Sequence, residues 1–311
     1  MGVLCEEAAG QLGIKITEPG IFNIAVASGL IDAHAGGLGS ISTKLKMNHE
    51  QNEVKMTEKL SLIAGTSACL MSVTESPVFI ENIWGPYFSA MVPNLYLTEA
   101  GQSVSGKLID HILKSLDLSI NDESVRNLSR CNQSLLESTI DLFFYPDFHG
   151  NRSPHSNQKL KGGMIGETLN TTRIQKYFAC LQGISFQILE IIEKINKSRE
   201  DQNSNRIKAV IITGGMTKNA NFLETLSQVL FIFDIKLYKV PDSVLLGTAM
   251  LARMADLKNS TDIANVGSDI GYSLKDDDYL ESKLDGKLLV QYREKYLKYL
   301  KFRDFMIDFY G

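Results

Sequence analysis

The chain has 311 residues, of which 44% are hydrophobic and 22% charged, and its formal net charge is −4. This composition is typical of globular proteins, and the length allows one large domain or two ordinary ones. A mildly acidic chain has no general attraction for phosphate backbones or anionic lipid, so we expect neither nucleic-acid nor membrane binding.

Cellular compartment is predicted from features that the sequence lacks. No apolar run approaches the roughly 20 residues that cross a bilayer, and the first ten residues do not have the pattern of a signal peptide. The four cysteines are widely spaced and have no histidine at metal-binding spacing; they are Cys5, Cys69, Cys131 and Cys180. We therefore expect reduced thiols, no metal site and a cytoplasmic protein.

The N-terminal region reads as a helix over residues 6–12, a strand over 22–28 and a loop of small residues over 29–39. The polar residues 46–59 look like a connection. Asp32 lies in the loop, where small neighbours let a ligand approach the backbone. Its carboxylate could act as a general base, or Asp32 could be an ordinary turn or cap residue.

Residues 60–64 and 68–73 predict two strands of a hairpin that turns at Gly65, Thr66 and Ser67. Backbone N–H groups and hydroxyls at such a turn can bind phosphate oxygens. A plain tight turn is the alternative. A helix is predicted over 101–116, and residues 141–154 predict an ordered loop rich in aromatic residues, proline and glycine.

The C-terminal region alternates between helices and strands, with a long helix over 174–195 first. A buried strand over 207–212 runs into Thr213, Gly214 and Gly215, and then come a helix over 219–230, a strand over 235–240 and a helix over 243–255. This order predicts an α/β fold with a parallel sheet. Ligands bind beyond the carboxyl ends of such strands, where Gly214 and Gly215 would admit a purine and ribose. Asn219 would either cap the next helix or contact adenine.

Two common phosphate-binding motifs are absent from the sequence. There is no GxxxxGK[ST] run, which excludes a P-loop enzyme, and no GxGxxG after a strand, which argues against a dinucleotide site. The polar residues 256–278 look irregular, and an amphipathic helix closes the chain.

Several short motifs occur in an order that resembles the FGGY family of carbohydrate kinases across nearly the whole chain. Asp-Ala-His-Ala-Gly at 32–36 is similar to the segment around that family's catalytic aspartate, and its sequence most resembles that of the ribulokinase branch. The other matching segments are Gly-Thr-Ser at 65–67, Glu-Ala-Gly-Gln-Ser at 99–103, Asp-Phe-His-Gly-Asn-Arg-Ser-Pro at 147–154, Thr-Gly-Gly at 213–215 with Asn219, and Leu-Gly-Thr-Ala at 246–249.

The resemblance implies the fold of the actin-like (ribonuclease H-like) ATPases, in which ATP lies between two related domains. Residues 1–58 would be the last piece of the first, sugar-binding domain, and residues 59–311 the second, nucleotide-binding domain. The chain contains no Asp-x-Gly-[Thr/Ser] run of the kind that binds phosphate and magnesium in the first domain. We therefore expect about half of the complete kinase to be absent from this chain.

The resemblance also implies a reaction, the phosphorylation of a ketopentose, D-ribulose first, with ATP and Mg²⁺. Asp32 would be the base and, with His34, would contact the sugar. The phosphates would lie at Gly65, Thr66 and Ser67, and the adenosine at Gly214, Gly215 and Asn219. The chain alone would be inactive, and its partner would be the missing N-terminal kinase half or a second copy in a homodimer. A non-catalytic nucleotide-binding module that regulates a partner is the alternative.

Overall fold

The computed structural model of the chain describes residues 2–14, 24–45, 54–126, 132–257, 274, 278–282 and 284–311. Its strands, numbered in chain order, are β1 Gly2–Val3, β2 Ala25–Val26, β3 Lys59–Ala64, β4 Ala68–Thr74, β5 Trp84–Phe88, β6 Tyr96–Gln102, β7 Phe143–Tyr145, β8 Gly163–Ile165, β9 Ala209–Thr213 and β10 Lys236–Lys239. Its α-helices are α1 Glu6–Gln11, α2 Asp32–Ile41, α3 Gly106–Ser115, α4 Glu123–Arg126, α5 Asn132–Ser138, α6 Arg173–Asp201, α7 Ala220–Phe231, α8 Ser243–Asp256 and α9 Gly286–Tyr310.

Six strands form the central sheet, in the order β10-β9-β3-β4-β6-β5. β10, β9 and β3 are parallel, whereas β3, β4, β6 and β5 pair antiparallel. The α/β alternation predicted for the C-terminal region is therefore confirmed. β3 and β4 form the predicted hairpin, with Ala64 opposite Ala68.

The predicted phosphate turn and glycine turn leave the sheet at the same edge. Ile63 of β3 lies opposite Thr213 of β9 in the parallel pair. Gly65 and Gly214 therefore both follow the carboxyl ends of neighbouring strands, which is where open α/β sheets bind their ligands.

The small residues at 29–39 do not form the predicted loop, because most of them belong to α2. They are small because α2 crosses α8 with the two backbones in contact. A Cβ added at Gly39 would lie 2.2 Å from the carbonyl oxygen of Ser243, and one at Gly247 would lie 1.8 Å from that of Ala35. The glycines therefore serve helix packing rather than a flexible turn.

The direction of α2 places Asp32 at the edge of the sheet where β3 and β9 end. The Lys59 ammonium, where β3 begins, donates to the carbonyl of Thr43 at 2.6 Å, just beyond the end of α2. Gly36, in the first half of α2, lies against Ile63 near the end of β3. α2 thus runs antiparallel to β3, and its first residue, Asp32, lies beyond the carboxyl end of the strand.

Several predicted boundaries differ from the structure. The helix predicted from residue 101 begins at Gly106, because Gln102 still pairs with Ala68 in the sheet. The predicted loop 141–154 contains the short strand β7. The amphipathic closing helix packs as expected through Tyr292 and its neighbours, while Phe305 is exposed.

Parts of three predicted segments lie outside the described residues. They are the β-prone 22–28, the connection 46–59 and the irregular 256–278. Within the described part of the chain, no helix is long and apolar enough to span a membrane.

Candidate functional site

The turn at Gly65 is held by the start of α3. The backbone amides of Ser105 and Gly106 donate to the carbonyls of Thr66 and Gly65, at 2.9 and 3.0 Å. A Cβ at Gly106 would lie 2.5 Å from the Gly65 oxygen, so only glycine permits this approach. The turn therefore directs these two carbonyls toward α3.

The turn after β9 uses its two glycines differently. Gly214 has φ +99°, a backbone conformation that favours glycine, and a Cβ there would lie 2.5 Å from the Ala64 oxygen. Gly215 has no atom within 4 Å of an added Cβ. Gly214 thus shapes the contact between the two strand ends, while Gly215 leaves open space.

Asn219 caps the helix that follows this turn. Its Oδ1 accepts a hydrogen bond from the Phe222 amide at 3.1 Å, and its Nδ2 donates to the Tyr177 hydroxyl at 3.0 Å. Burial raises the pKa of Tyr177 to about 12, so this hydroxyl stays protonated at neutral pH. The cap role is therefore observed, and it engages both ends of the amide.

The two turns meet at one cavity of about 400 Å³, a volume typical of small-molecule sites. Four predicted residues line it, namely Gly65, Thr66, Gly215 and Asn219. Ser67 and Gly214 do not. Seven further residues line the cavity: Gly106, Lys107, Ile109, Asp110, Ile120, Met216 and Lys218.

Asp32 is exposed at the N-terminus of α2 and is not part of the cavity lining. Its Oδ1 accepts a hydrogen bond from the Ala33 amide at 2.7 Å. Burial raises the pKa of the nearby Cys69 thiol, and the negative charges of Glu99 and Asp32 add to this effect. Asp32 and Glu99 are therefore both within electrostatic range of Cys69.

His34, Glu99 and Arg152 form a polar cluster close to Asp32. The His34 Nε2 lies 3.2 Å from one Glu99 carboxylate oxygen, and Arg152 lies 3.5 Å from the other. The Arg152 guanidinium also stacks on the Trp84 ring, 4.4 Å from its centroid, in a cation–π contact. Glu99 is thus held from both sides, with its carboxylate only partly exposed.

The loop that carries Arg152 is fixed by buried hydrogen bonds. Asp147 accepts from the side-chain amides of Asn151 and Gln187, at 2.9 and 2.8 Å. Burial nevertheless raises the pKa of Asp147 above its usual range. These bonds hold the loop against α6 and set Arg152 opposite Glu99. No group of three or more His, Cys, Asp or Glu side chains suited to a metal ion occurs among the described residues.

Sequence reasoning missed the contribution of α3 to the cavity. Placing the helix start at residue 101 puts Gly106 inside the helix, whereas the structure has it as the first helical residue beside the turn. Glu99 and Arg152 belong to segments that resemble family motifs, but neither was predicted as a site residue. Their pairing depends on the fold and has no local signal.

Comparison with known proteins places the chain among kinases. The profile for the "FGGY family of carbohydrate kinases, C-terminal domain" matches residues 60–255. The chain is 34% identical to the human "FGGY carbohydrate kinase domain-containing protein", over 94% of this chain and 56% of that protein. It is 27% identical to a D-ribulokinase of Saccharomyces cerevisiae, over 81% of this chain and 38% of that protein. The chain thus spans about half the length, or less, of these curated relatives.

Solved structures confirm the predicted actin-like ATPase fold. Gluconate kinase from Lactobacillus acidophilus superposes with a TM-score of 0.72 at 18% identity, covering 99% of this chain and 56% of that one. Ligand-bound xylulose kinase from the same organism also has a TM-score of 0.72, at 17% identity, covering 98% and 55%.

Proposed function

This chain belongs to the FGGY family of carbohydrate kinases, and from that membership we propose that it supplies the nucleotide-binding domain and the catalytic base of an ATP-dependent sugar kinase. One observation carries the proposal. Two turns that are far apart in the sequence, at Gly65–Thr66 and at Gly215–Asn219, line a single cavity at the carboxyl edge of the sheet. A nucleotide has a charged phosphate end and a flat base. The first turn offers the Thr66 hydroxyl for phosphates, and the second offers the open space beside Gly215 for the base.

The phosphates would lie at Gly65 and Thr66, and the adenosine at Gly215 and Asn219. Ser67 and Gly214 would act indirectly by shaping the two turns. The Gly65 amide donates to the Ser67 carbonyl at 2.9 Å, which tightens the first turn. The absence of a side chain at Gly215 would let a flat purine lie against the backbone.

Asp32 would accept the proton from a terminal sugar hydroxyl. The sugar oxygen then forms a bond to the γ-phosphorus of ATP, and the bond to the departing ADP oxygen breaks. Phosphoryl transfer depends mainly on positioning and charge stabilisation. The partial exposure of the Asp32 region is consistent with a base that meets its substrate in a cleft.

We propose a ketopentose, with D-ribulose first, as the sugar. This proposal is supported by the sequence Asp-Ala-His-Ala-Gly at 32–36 and by the similarity of the chain to a yeast D-ribulokinase. His34 and Glu99 would provide hydrogen-bonding groups beside Asp32. Asp110 is the single carboxylate among the described cavity-lining residues, so the described residues do not form a complete Mg²⁺ site by themselves.

A complete kinase would also need the first, sugar-binding domain. Since the chain spans about half of its relatives, we propose that it works with an N-terminal kinase half or as a homodimer, and that alone it is inactive. The domain boundary at residue 58 remains a prediction. A regulatory, non-catalytic nucleotide-binding module is the second candidate, and the observation that favours it is that this chain forms the nucleotide cavity by itself.

Nucleotide binding can be tested by isothermal titration of the chain with ADP and ATP. Replacement of Gly215 by valine would place a side chain in open space within the cavity. We expect it to abolish binding without loss of stability. Gly286→Val, at an equally open site on α9, should bind as the wild type does. Failure of the wild-type chain to bind either nucleotide would refute the proposal.

Catalysis requires a separate measurement, sugar-dependent ADP production with a panel of ketoses. The isolated chain should give none, whereas addition of an N-terminal FGGY half in trans should restore ribulose-dependent turnover. Asp32→Asn should remove that turnover and leave ADP binding intact. Nucleotide binding without turnover under any pairing would favour the regulatory module.

A further inference from the structure

The nucleotide cavity contains charged side chains that the sequence motifs did not indicate. Lys107, Asp110 and Lys218 line it beside the neutral Thr66 and Asn219. Within the described ranges, the salt bridges of 4.0 Å or less involve neither lysine. Asp110 is one helical turn after Lys107 on α3, yet the two are not paired. The cavity thus has two cations that form no ion pair with any of the described residues.

The backbone at the start of α3 does not supply the positive charge for an anion. Helix N-termini commonly bind phosphate through their first free amides. Here the amides of Ser105, Gly106 and Lys107 donate to the carbonyls of Thr66 and Gly65, at 2.9, 3.0 and 3.3 Å. Since these donors are already used, the start of α3 can contribute to phosphate binding only through its side chains.

The two lysines belong to different elements of the cavity wall. The backbone of Lys107 contacts the predicted phosphate turn, because its amide donates a hydrogen bond to the Thr66 carbonyl. Lys218 ends the short 3-10 helix Gly215–Lys218, directly before Asn219. A nucleotide placed with adenosine at Gly215 and phosphates at Thr66 would therefore present its phosphates to Lys107 and its nucleoside to Lys218.

We infer that the Lys107 ammonium binds the nucleotide phosphates and makes this chain prefer nucleoside polyphosphates over the nucleoside. A primary ammonium has three donors on a flexible stem, which suits the oxygens of a phosphate group. Asp110, which also lines the cavity, would contact the ribose hydroxyls rather than the phosphates, since two negative groups repel. The inference rests on the proposed nucleotide-binding function and specifies which side chain recognises the phosphates.

The test compares ADP with adenosine by isothermal titration calorimetry of the full 311-residue chain, without divalent cations. Lys107→Met should weaken ADP binding about tenfold, the typical effect of losing one charge-assisted hydrogen bond. It should leave adenosine affinity unchanged. Lys107→Arg should retain most of the ADP affinity. Raising the salt concentration should reduce the difference in ADP affinity between the wild type and Lys107→Met, because salt screens exposed charges.

Lys114→Met is the matched control, since Lys114 is exposed on the same helix but does not line the cavity. Its ADP affinity should equal that of the wild type. Thermal melting of all the variants shows whether the fold is retained.

The possible outcomes separate this inference from the function on which it rests. Selective loss of ADP affinity in Lys107→Met supports it. Equal ADP affinities for wild type and Lys107→Met would overturn the role of Lys107 and leave the nucleotide site standing. Equal wild-type affinities for ADP and adenosine would overturn the phosphate preference alone. Binding of neither compound would overturn both the inference and the proposed function.

Discussion

Replacement of Gly247 by alanine should destabilise the protein through the crossing of α2 and α8. The added Cβ would lie 1.8 Å from the carbonyl oxygen of Ala35 and 3.1 Å from the amide nitrogen of Gly39. These neighbours are backbone atoms, so no side chain can rotate away. The helices would have to separate, and the packing beneath them would loosen.

Two opposing effects set the magnitude. Overpacking typically costs about 1–3 kcal/mol, and the very short approach at Gly247 places it at the upper end. Alanine in a helix gains about 1 kcal/mol over glycine. We therefore expect a net loss of about 2 kcal/mol in the free energy of unfolding, which for a chain of this length corresponds to a melting temperature lower by about 3 °C.

Equilibrium unfolding in urea, followed by circular dichroism, measures this loss. Gly10→Ala is the matched control, because Gly10 is also helical but has no atom within 4 Å of an added Cβ. It should change stability by less than about 1 kcal/mol, toward greater stability. A Gly247→Ala protein as stable as the wild type would show that the two helices do not meet as closely as the argument requires.

Other predictions concern single side chains. Arg152→Met should shift the emission of Trp84, the only tryptophan, to longer wavelength, because the ring loses the guanidinium that covers it; an unchanged spectrum would contradict the stacking. Burial lowers the pKa of Lys295 to about 7 from its usual 10.5. Between pH 7 and 10.5 the unfolded chain therefore binds more protons than the folded chain. The free energy of unfolding should rise with pH across that window. Unfolding in urea at several pH values should show a smaller rise for Lys295→Met than for the exposed control Lys301→Met. Asn219→Ala should cost about 1 kcal/mol through loss of the helix cap, measured by the same unfolding experiment.

The sequence predicted the turns of the site well because their signals are local. A buried strand that ends in glycine, as at Gly65 and Gly214, is visible within about ten residues of sequence. Asn219 was correctly considered as a helix cap for the same reason. The fold class followed from the alternation of strands and helices, together with the order of the family motifs.

The helix at Asp32 could not be predicted from local preference. Glycine is unfavourable in helices, so a run with Gly36, Gly37 and Gly39 reads as a loop. The stabilising contact comes from α8, which is far away in sequence. The same limit applies to Glu99 and Arg152, which belong to separate elements and meet only in the folded chain.

The close crossing of α2 and α8 also has a consequence for motion. Side chains at an interface can absorb small displacements by changing rotamer, but at Ala35 and Gly247 there is only backbone between the helices. A displacement of α2, which carries Asp32 at its N-terminus, would therefore be passed directly to α8 rather than absorbed at the interface.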